Sequence, residues 1–277
     1  MRPVYIAGTG LWPDAGPSAA AEAVAGAAEP RPPCELVPSR AKRGTSLLTQ
    51  MMVEVATRTA RAAGFDLGTA ATVFGSSHGE MEIAVDQMVM MKDGKGLLSP
   101  ARFKNSVHNT GAGLFTIGAG NQGFTTAIAA GQDTAAMALL EGWLLLDRGE
   151  ADEVIVTVAD EALPEPLRAF APHAPLAVGV ALCTAPPSPD APRIARLRCD
   201  PAAGVVRDAR FAGNPAAGLL ALVDAVEACG SAAPGALRQE PRTVPLSLDG
   251  GEPWCVDLYI DGAGAAQADP PAVPAEP

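Results

Sequence analysis

Short continuous apolar runs alternate with longer segments of helical periodicity along the first 185 residues. The continuous runs predict buried strands at 4–11, 71–75, 154–159 and 177–183. Between the first two strands, apolar residues at helical spacing predict a helix that Thr45 or Ser46 caps and that ends at Gly64. This order predicts a β-α-β arrangement.

Two further helices are predicted to be apolar on nearly every side. Residues 81–92 leave few positions for a solvated face, since they include the methionines Met81, Met88, Met90 and Met91. We expect this helix to be buried on more than one side, in the core or at a subunit interface, because flexible methionines commonly fill irregular gaps. Residues 133–147 are apolar nearly all round, which is typical of a helix in the middle layer of a sandwich.

The rest of the chain divides around a proline-rich segment. Residues 12–43, with a short helix near 19–25, predict an excursion over the surface. Prolines after residue 183 mark a domain edge, so the predicted units are 1–185, 186–260 and a disordered tail, 261–277. The second unit is predicted to hold a helix that ends at Gly230 and a hairpin of 243–248 with 254–260, in which Pro245 requires a sheet edge.

Composition narrows the classes of function. The 277 residues are 48% hydrophobic and carry a formal net charge of −11, which predicts one main domain and argues against nucleic acid and anionic membranes. The apolar run 135–146 is too short to span a bilayer. Five scattered cysteines and a start without a signal-peptide pattern predict a reducing, cytoplasmic location.

Glycines close the first predicted strand and raise the alternative of a dinucleotide site. The required pattern is Gly-x-Gly-x-x-Gly, and Gly8 and Gly10 satisfy its first half. Pro13 occupies the third glycine position, and no clean helix follows at once. The sequence therefore disfavours a dinucleotide site.

Four spaced motifs together resemble one family. Residues 74–80 read Phe-Gly-Ser-Ser-His-Gly-Glu, 98–103 contain Leu-Ser-Pro and a phenylalanine, 106–109 read Ser-Val-His-Asn, and 126–131 read Thr-Ala-Ile-Ala-Ala-Gly. In this order they resemble the short β-ketoacyl-synthase-like proteins that serve as chain-length factors in aryl-polyene and related pigment clusters. The resemblance covers roughly residues 4–183, and the C-terminal helix and hairpin more loosely.

The resemblance also shows what this chain lacks. The last motif is similar to the nucleophile elbow of the β-ketoacyl synthases, Thr-Ala-Cys-Ala-Ser-Gly, in which the cysteine lies at a helix N-terminus and attacks a thioester. Ile128 stands at the cysteine position, while small residues after it keep the elbow. The two C-terminal histidines of the family have no match, since none of the three histidines follows His173. We therefore expect no catalytic residue and no activity from this chain by itself.

The resemblance implies a thiolase-like α/β/α sandwich with a mostly parallel sheet, one complete half and a truncated second unit. It implies a heterodimer with a catalytic ketosynthase subunit that uses an acyl-phosphopantetheine substrate on an acyl carrier protein, with no further cofactor. An acidic carrier would need a basic patch such as Arg40, Lys42 and Arg43, or the partner's surface. The expected tunnel and interface residues are Phe115, Phe124, Ile128, Met88 and Met91.

Two alternatives stay open. The first is a stand-alone acyltransferase or hydrolase that uses His78 or His108, and the second is a scaffold that only stabilises a ketosynthase. We favour structural roles for the motif residues His78, Glu80, Ser106, His108 and Asn109. We also interpret Asp160 and Glu161 as strand-end polarity and His173 as an exposed loop residue, and we expect no metal site.

Overall fold

The computed structural model describes residues 2–14, 31–94, 99–165, 167–230 and 241–260. The helix expected near 19–25 and the tail 261–277 lie outside the described residues. The strands are β1 (Val4–Trp12), β2 (Ala71–Gly75), β3 (Thr125–Ile128), β4 (Glu153–Asp160), β5 (Leu176–Cys183), β6 (Pro192–Cys199), β7 (Arg242–Pro245) and β8 (Trp254–Ile260). The α-helices are α1 (Ser39–Lys42), α2 (Leu47–Ala63), α3 (Met81–Asp93), α4 (Pro100–Phe103), α5 (Thr110–Ala119), α6 (Thr134–Arg148) and α7 (Ala217–Gly230).

The strands form one eight-stranded sheet in the order β3-β2-β4-β5-β1-β6-β8-β7. Only β2 with β3 and β2 with β4 run parallel, and the other five pairings are antiparallel. The expectation of a mostly parallel sheet is therefore wrong. The parallel part is confined to β3-β2-β4, where α3 to α6 provide the long crossover connections that parallel strands need.

Helices cover both faces of the sheet and create two apolar cores. On one face α6 packs against β2 and β4, and α7 lies beside it against β5. On the other face α2 packs against β1, β4 and β5, next to α5. The α/β/α layers are confirmed, but α6 lies in an outer layer of this chain, and a stripe that includes Met137, Leu140 and Leu144 is only partly covered.

Helix α2 begins and ends as its sequence predicts. The Ser46 side chain accepts a hydrogen bond from the Thr49 N–H at 2.9 Å, and Gly64 adopts the left-handed conformation at the C-terminal end. This helix lies very close to β1. A Cβ on Gly8 would be 2.7 Å from the Ala63 nitrogen, so the β1 glycines serve the approach of a helix to the sheet.

The C-terminal strands extend the same sheet. The predicted hairpin is confirmed, with Val244 opposite Val256, and Pro245 lies on the edge strand β7. Strand β6 was not predicted, because three arginines interrupt its apolar pattern. It pairs with β1 and β8, so the predicted boundary at 185–186 falls between two strands of one sheet and stays a prediction.

The structure corrects the expectation that α3 is buried on more than one side. Within this chain only Ile83 and Gln87 of the helix are buried. Met88 is 64% exposed and Met91 is 63% exposed. Of the two locations considered for this helix, a subunit interface rather than the core agrees with this exposure. In the described residues, no helix is long and apolar enough to cross a membrane.

We expect Gly8→Ala to destabilise the fold by about 1–3 kcal/mol, because the added methyl group would meet the backbone of α2 rather than a movable side chain. Gly113→Ala in α5 is the matched control, since its Cβ would enter open space. Urea unfolding followed by circular dichroism compares the two. Equal stability of Gly8→Ala and the wild type would contradict this account of the β1 glycines.

Candidate functional site

The candidate site lies where the three parallel strands end together. Gly75 of β2 is in register with both Ile128 of β3 and Val158 of β4, so the carboxyl ends of these strands reach the same edge. The Ser76 N–H then donates to the Ile128 carbonyl at 3.1 Å. The loop after β2, the elbow after β3 and the acidic end of β4 therefore meet at one place.

Ile128 is the last residue of β3 and is half-buried. It does not stand at a helix N-terminus as expected, because Ala129, Ala130 and a 3₁₀ turn (Gly131–Asp133) separate it from α6. The Thr134 hydroxyl holds the turn, since it accepts from the Ala130 N–H at 3.1 Å and donates to the Gly131 carbonyl at 2.7 Å. The side chain at the nucleophile position is aliphatic and packs against the core of the α6 face.

Asp160 organises the loop after β2. One carboxylate oxygen accepts from the Ser76 hydroxyl at 2.8 Å and from the His78 N–H at 2.9 Å, and the other accepts from the Ser77 N–H at 2.9 Å. The His78 ring contacts the same carboxylate through Nδ1 at 3.2 Å. Our interpretation of Asp160 as strand-end polarity missed this role, which a carboxylate at the end of a buried strand could have suggested.

All three histidines of the chain gather around this loop. The rings of His78 and His173 stack with their centroids 5.5 Å apart, and His108 Nε2 lies 2.8 Å from the Ser76 carbonyl oxygen. His173 was expected in an exposed loop, but it is half-buried, and burial lowers the pKa of its imidazole. Asn214, which the sequence analysis did not identify, donates to the Asp160 carbonyl at 3.0 Å.

This arrangement does not provide an activated serine. A Ser-His-Asp relay needs a hydroxyl bonded to the histidine nitrogen that faces away from the carboxylate. Here the Ser76 hydroxyl and His78 Nδ1 both contact Asp160, and no serine bonds to His78 Nε2 among the residues that the structure describes. His108 Nε2 is already bonded to the backbone. The geometry supports loop-holding roles for both histidines.

The other motif residues serve local structure. Glu80 is buried and accepts a short hydrogen bond from the Thr49 hydroxyl of α2. The Ser106 hydroxyl donates to the Phe103 carbonyl at 2.8 Å. Asn109 is exposed at the start of α5, where its carbonyl accepts from the Gly113 N–H at 2.9 Å.

The expected tunnel residues divide into two sets. Phe115 is fully buried in the α2–α5 core, with its ring centroid 5.6 Å from that of Phe74, and its tunnel role stays a prediction. Phe124, Met88 and Met91 are exposed large apolar side chains. Ile128 is half-buried and packs against the core of the α6 face.

The described residues contain no group of three or more histidine, cysteine, aspartate or glutamate side chains that could hold a metal ion. Among the cysteines whose side chains the structure describes, Cys34, Cys183, Cys199 and Cys255 are free thiols. Burial raises the pKa of Cys34 and of Cys183 to about 11, which keeps both protonated at neutral pH. Neither thiol is suited to replace the missing nucleophile.

Solved structures with a similar fold include ketosynthase complexes. A chain of the ketosynthase (ApeO) in complex with its chain length factor (ApeC) from Xenorhabdus doucetiae matches with a TM-score of 0.63 and 17% identity, over 93% of this chain and 99% of that chain. The ishigamide ketosynthase/chain length factor matches with a TM-score of 0.52 and 17% identity, over 82% and 74%. AntDE:AntF, a type II PKS acyl-carrier protein in complex with its ketosynthase bound to the hexaketide, gives 0.57 and 11%, over 72% and 69%.

These likenesses confirm the predicted thiolase-like fold. No curated protein matches the sequence. A family model described as the beta-ketoacyl synthase N-terminal domain matches residues 16–209. Because this segment is well over half of the 277 residues, the chain belongs to the beta-ketoacyl synthase family.

Proposed function

We propose that this chain is the non-catalytic chain-length-factor subunit of a type II ketosynthase heterodimer that makes a polyene or polyketide. The observation that carries the proposal is Ile128, an aliphatic side chain at the end of β3 where a condensing enzyme of this family has its cysteine. An isoleucine has no lone pair with which to attack a thioester. The partner subunit would supply the cysteine and the histidines that decarboxylate and bind the thioester.

The exposed apolar surface supports assembly with such a partner. Seven of the eight exposed large apolar side chains of the described residues fall between Met88 and Phe124, on the segment that joins β2 to β3: Met88, Val89, Met91, Phe103, Val107, Ile117 and Phe124. Side chains of this size concentrated on one segment are typical of an interaction surface. We call these seven residues the 88–124 apolar set.

The edge of the sheet supports the same assembly. Among the strands that the structure describes, β3 pairs only with β2, so one row of its backbone N–H and C=O groups has none of these strands beside it. All four of its residues are partly exposed. Unprotected edges favour pairing with another chain, and natural proteins cover them. A partner strand beside β3 would lie next to Ile128 and would bring a foreign active site close to it.

Within this proposal, exposed side chains of the set shape the acyl tunnel. Met88, Met91 and Phe124 are large, apolar and uncovered in this chain, as a tunnel wall completed by a second subunit requires. Ile128 would fill the space beside the partner's cysteine. Product length would be limited where these side chains stop the growing chain.

The substrate would arrive as an acyl-phosphopantetheine group on an acyl carrier protein in the cytoplasm, with no other cofactor. Carrier proteins of this kind are acidic, and the net charge of −11 repels them on average. Arg40 and Arg43 are exposed around α1, while Lys42 donates to the Pro33 carbonyl and is half-buried. These two arginines are therefore our candidates for a local docking patch, and the partner's surface is the alternative.

A scaffold without a tunnel role is the second candidate function, because the 88–124 apolar set supports assembly whether or not it contacts the acyl chain. The two functions differ in one consequence. Only a length-determining subunit changes the product when a side chain of the set is shortened.

We expect the chain to co-purify 1:1 with the ketosynthase encoded beside it. Ile117→Lys and Phe124→Lys should each weaken the complex tenfold or more, because a charge buried at an interface costs more than ~1.4 kcal/mol. Phe170→Lys is the control, since Phe170 is 82% exposed but lies outside the 88–124 apolar set. Analytical size-exclusion and titration measure the affinities. A complex that tolerates both substitutions would place the interface elsewhere.

Met88→Ala and Met91→Ala should shift the products of the reconstituted pair towards longer chains, because each removes most of a blocking side chain. Lys92→Ala on the same exposed helix is the control and should leave the products unchanged. Mass spectrometry of the released acyl chains gives the distribution. Unchanged products with both methionine substitutions, in an intact complex, would exclude the tunnel role and leave the scaffold.

The chain without its partner should hydrolyse or transfer no acyl thioester, because His78 is bonded to Asp160 and His108 to the Ser76 carbonyl. A thiol-release assay with an acyl-thioester substrate checks this. Turnover that His78→Ala or His108→Ala abolishes would support the stand-alone enzyme instead.

A further inference from the structure

Two buried carboxyl groups meet the N-terminus of α2 from different elements. Glu80 immediately precedes α3, and Glu161 immediately follows β4; they are 4% and 5% exposed. Glu161 accepts from the Leu48 N–H at 2.9 Å, and Glu80 accepts from the Thr49 hydroxyl. The two side chains thus join α3 and β4 to the first turn of α2.

Each carboxyl group has one oxygen that these hydrogen bonds do not use. Glu80 Oε2 and Glu161 Oε1 are buried and have no hydrogen-bond partner in the part of the chain that the structure describes. Two ionised carboxylates with unpartnered buried oxygens would be costly, because burial and mutual repulsion both disfavour the second charge. The positive end of α2 favours one negative charge but does not compensate two.

We propose that Glu80 and Glu161 are both protonated in the folded chain below neutral pH, and that this protonated pair is a pH-sensitive latch that fixes the start of α3 against α2. The inference goes beyond the proposed function, because it concerns the folding of α3 and applies whether or not the chain sets product length.

The surrounding charges favour retention of the protons. Burial, followed by smaller effects, raises the pKa of Glu80 from its ordinary value of 4.5 to about 7 and that of Glu161 to about 8. Glu82 in the first turn of α3 adds repulsion to both groups, and Glu80 adds repulsion to Glu161. The Arg31 guanidinium opposes these effects at Glu161, as do the hydrogen bonds from α2 at both groups.

The direction of the pH effect follows from these values. In the unfolded chain both carboxyls ionise near pH 4.5, whereas the folded chain retains the Glu80 proton until about pH 7 and the Glu161 proton until about pH 8. Between these limits the folded state binds more protons, so its stability falls as pH rises. The stabilising effect is fully present below pH 4.5 and is lost as pH passes through the folded values.

Helix α3 is the element that should be destabilised most when the pair loses its protons. It buries only Ile83 and Gln87, and no side chain caps its first turn. An exposed ion pair joins Asp86 of α3 to Arg102 of α4, and such surface pairs contribute little. When the latch loses its protons, we expect α3 to detach from α2 before the rest of the sheet opens.

The test uses the full chain, with its partner where the two co-purify. Urea unfolding between pH 5 and pH 9 gives the difference in bound protons, and the folded wild type should bind about two more protons than the unfolded chain near pH 6. Hydrogen exchange of residues 81–93, corrected for the intrinsic pH dependence, should lose protection about tenfold or more between pH 6 and pH 9. Protection in α6 should remain.

Substitutions identify the groups responsible. Glu80→Gln and Glu161→Gln each imitate one protonated carboxyl, so each should remove about half of the excess proton binding near pH 6, and the double variant should remove most of it and keep α3 protected at pH 9. Glu82→Gln should keep the transition but move it to lower pH, because a repelling charge is lost. Asp86→Asn, on the same helix but paired with Arg102, is the matched control and should leave the transition where it is.

Two results would overturn the proposal. One is a wild type that binds no excess proton near pH 6, which is measurable even if a variant fails to fold. The other is a pH-dependent loss of α3 protection that persists unchanged in both Gln variants. Neither result bears on co-purification with a ketosynthase or on product length, so the latch and the proposed function fail independently.

Discussion

The Asp160 carboxylate holds the candidate site together. It lies at the end of β4, is almost completely buried, and bonds to one side chain, two backbone amides and one imidazole of the loop after β2. That loop bonds in turn to the end of β3 through Ser76, so the position of Ile128 depends on the same contacts. In the proposed heterodimer this rigidity matters, because a surface that borders a partner's active site must keep its shape.

Much of the fold could be predicted from local patterns. Strands β2, β4 and β5 lie where their continuous apolar runs predict them. Helix α2 begins at its predicted cap and ends at its predicted glycine. All of these features depend on residues that are close together in sequence. Strand β6 could not be predicted in this way. Its arginines interrupt the apolar pattern that would predict a strand. Its place in the sheet depends on pairing with β1 and β8, which are distant in sequence.

In the candidate site, too, some features follow from local sequence and others depend on tertiary structure. A missing nucleophile at Ile128 can be recognised from a motif, but the gathering of His78 with His173, and of Glu80 with Glu161, depends on tertiary structure that brings β2 and β4 side by side. The exposure of Met88 and Met91 could not be predicted either, because an apolar helix looks the same in sequence whether its cover comes from its own chain or from another.

The central place of β1 has a consequence for how the protein reaches this structure. Its residues are synthesised first among the strands, yet they lie between β5 and β6, and Tyr5 pairs with Cys183. During translation β1 must wait, unpaired, until most of the chain has emerged, since pairings between distant segments form slowly. The nascent chain therefore displays an unsatisfied strand for much of its synthesis and depends on timely capture by its own later strands to avoid aggregation.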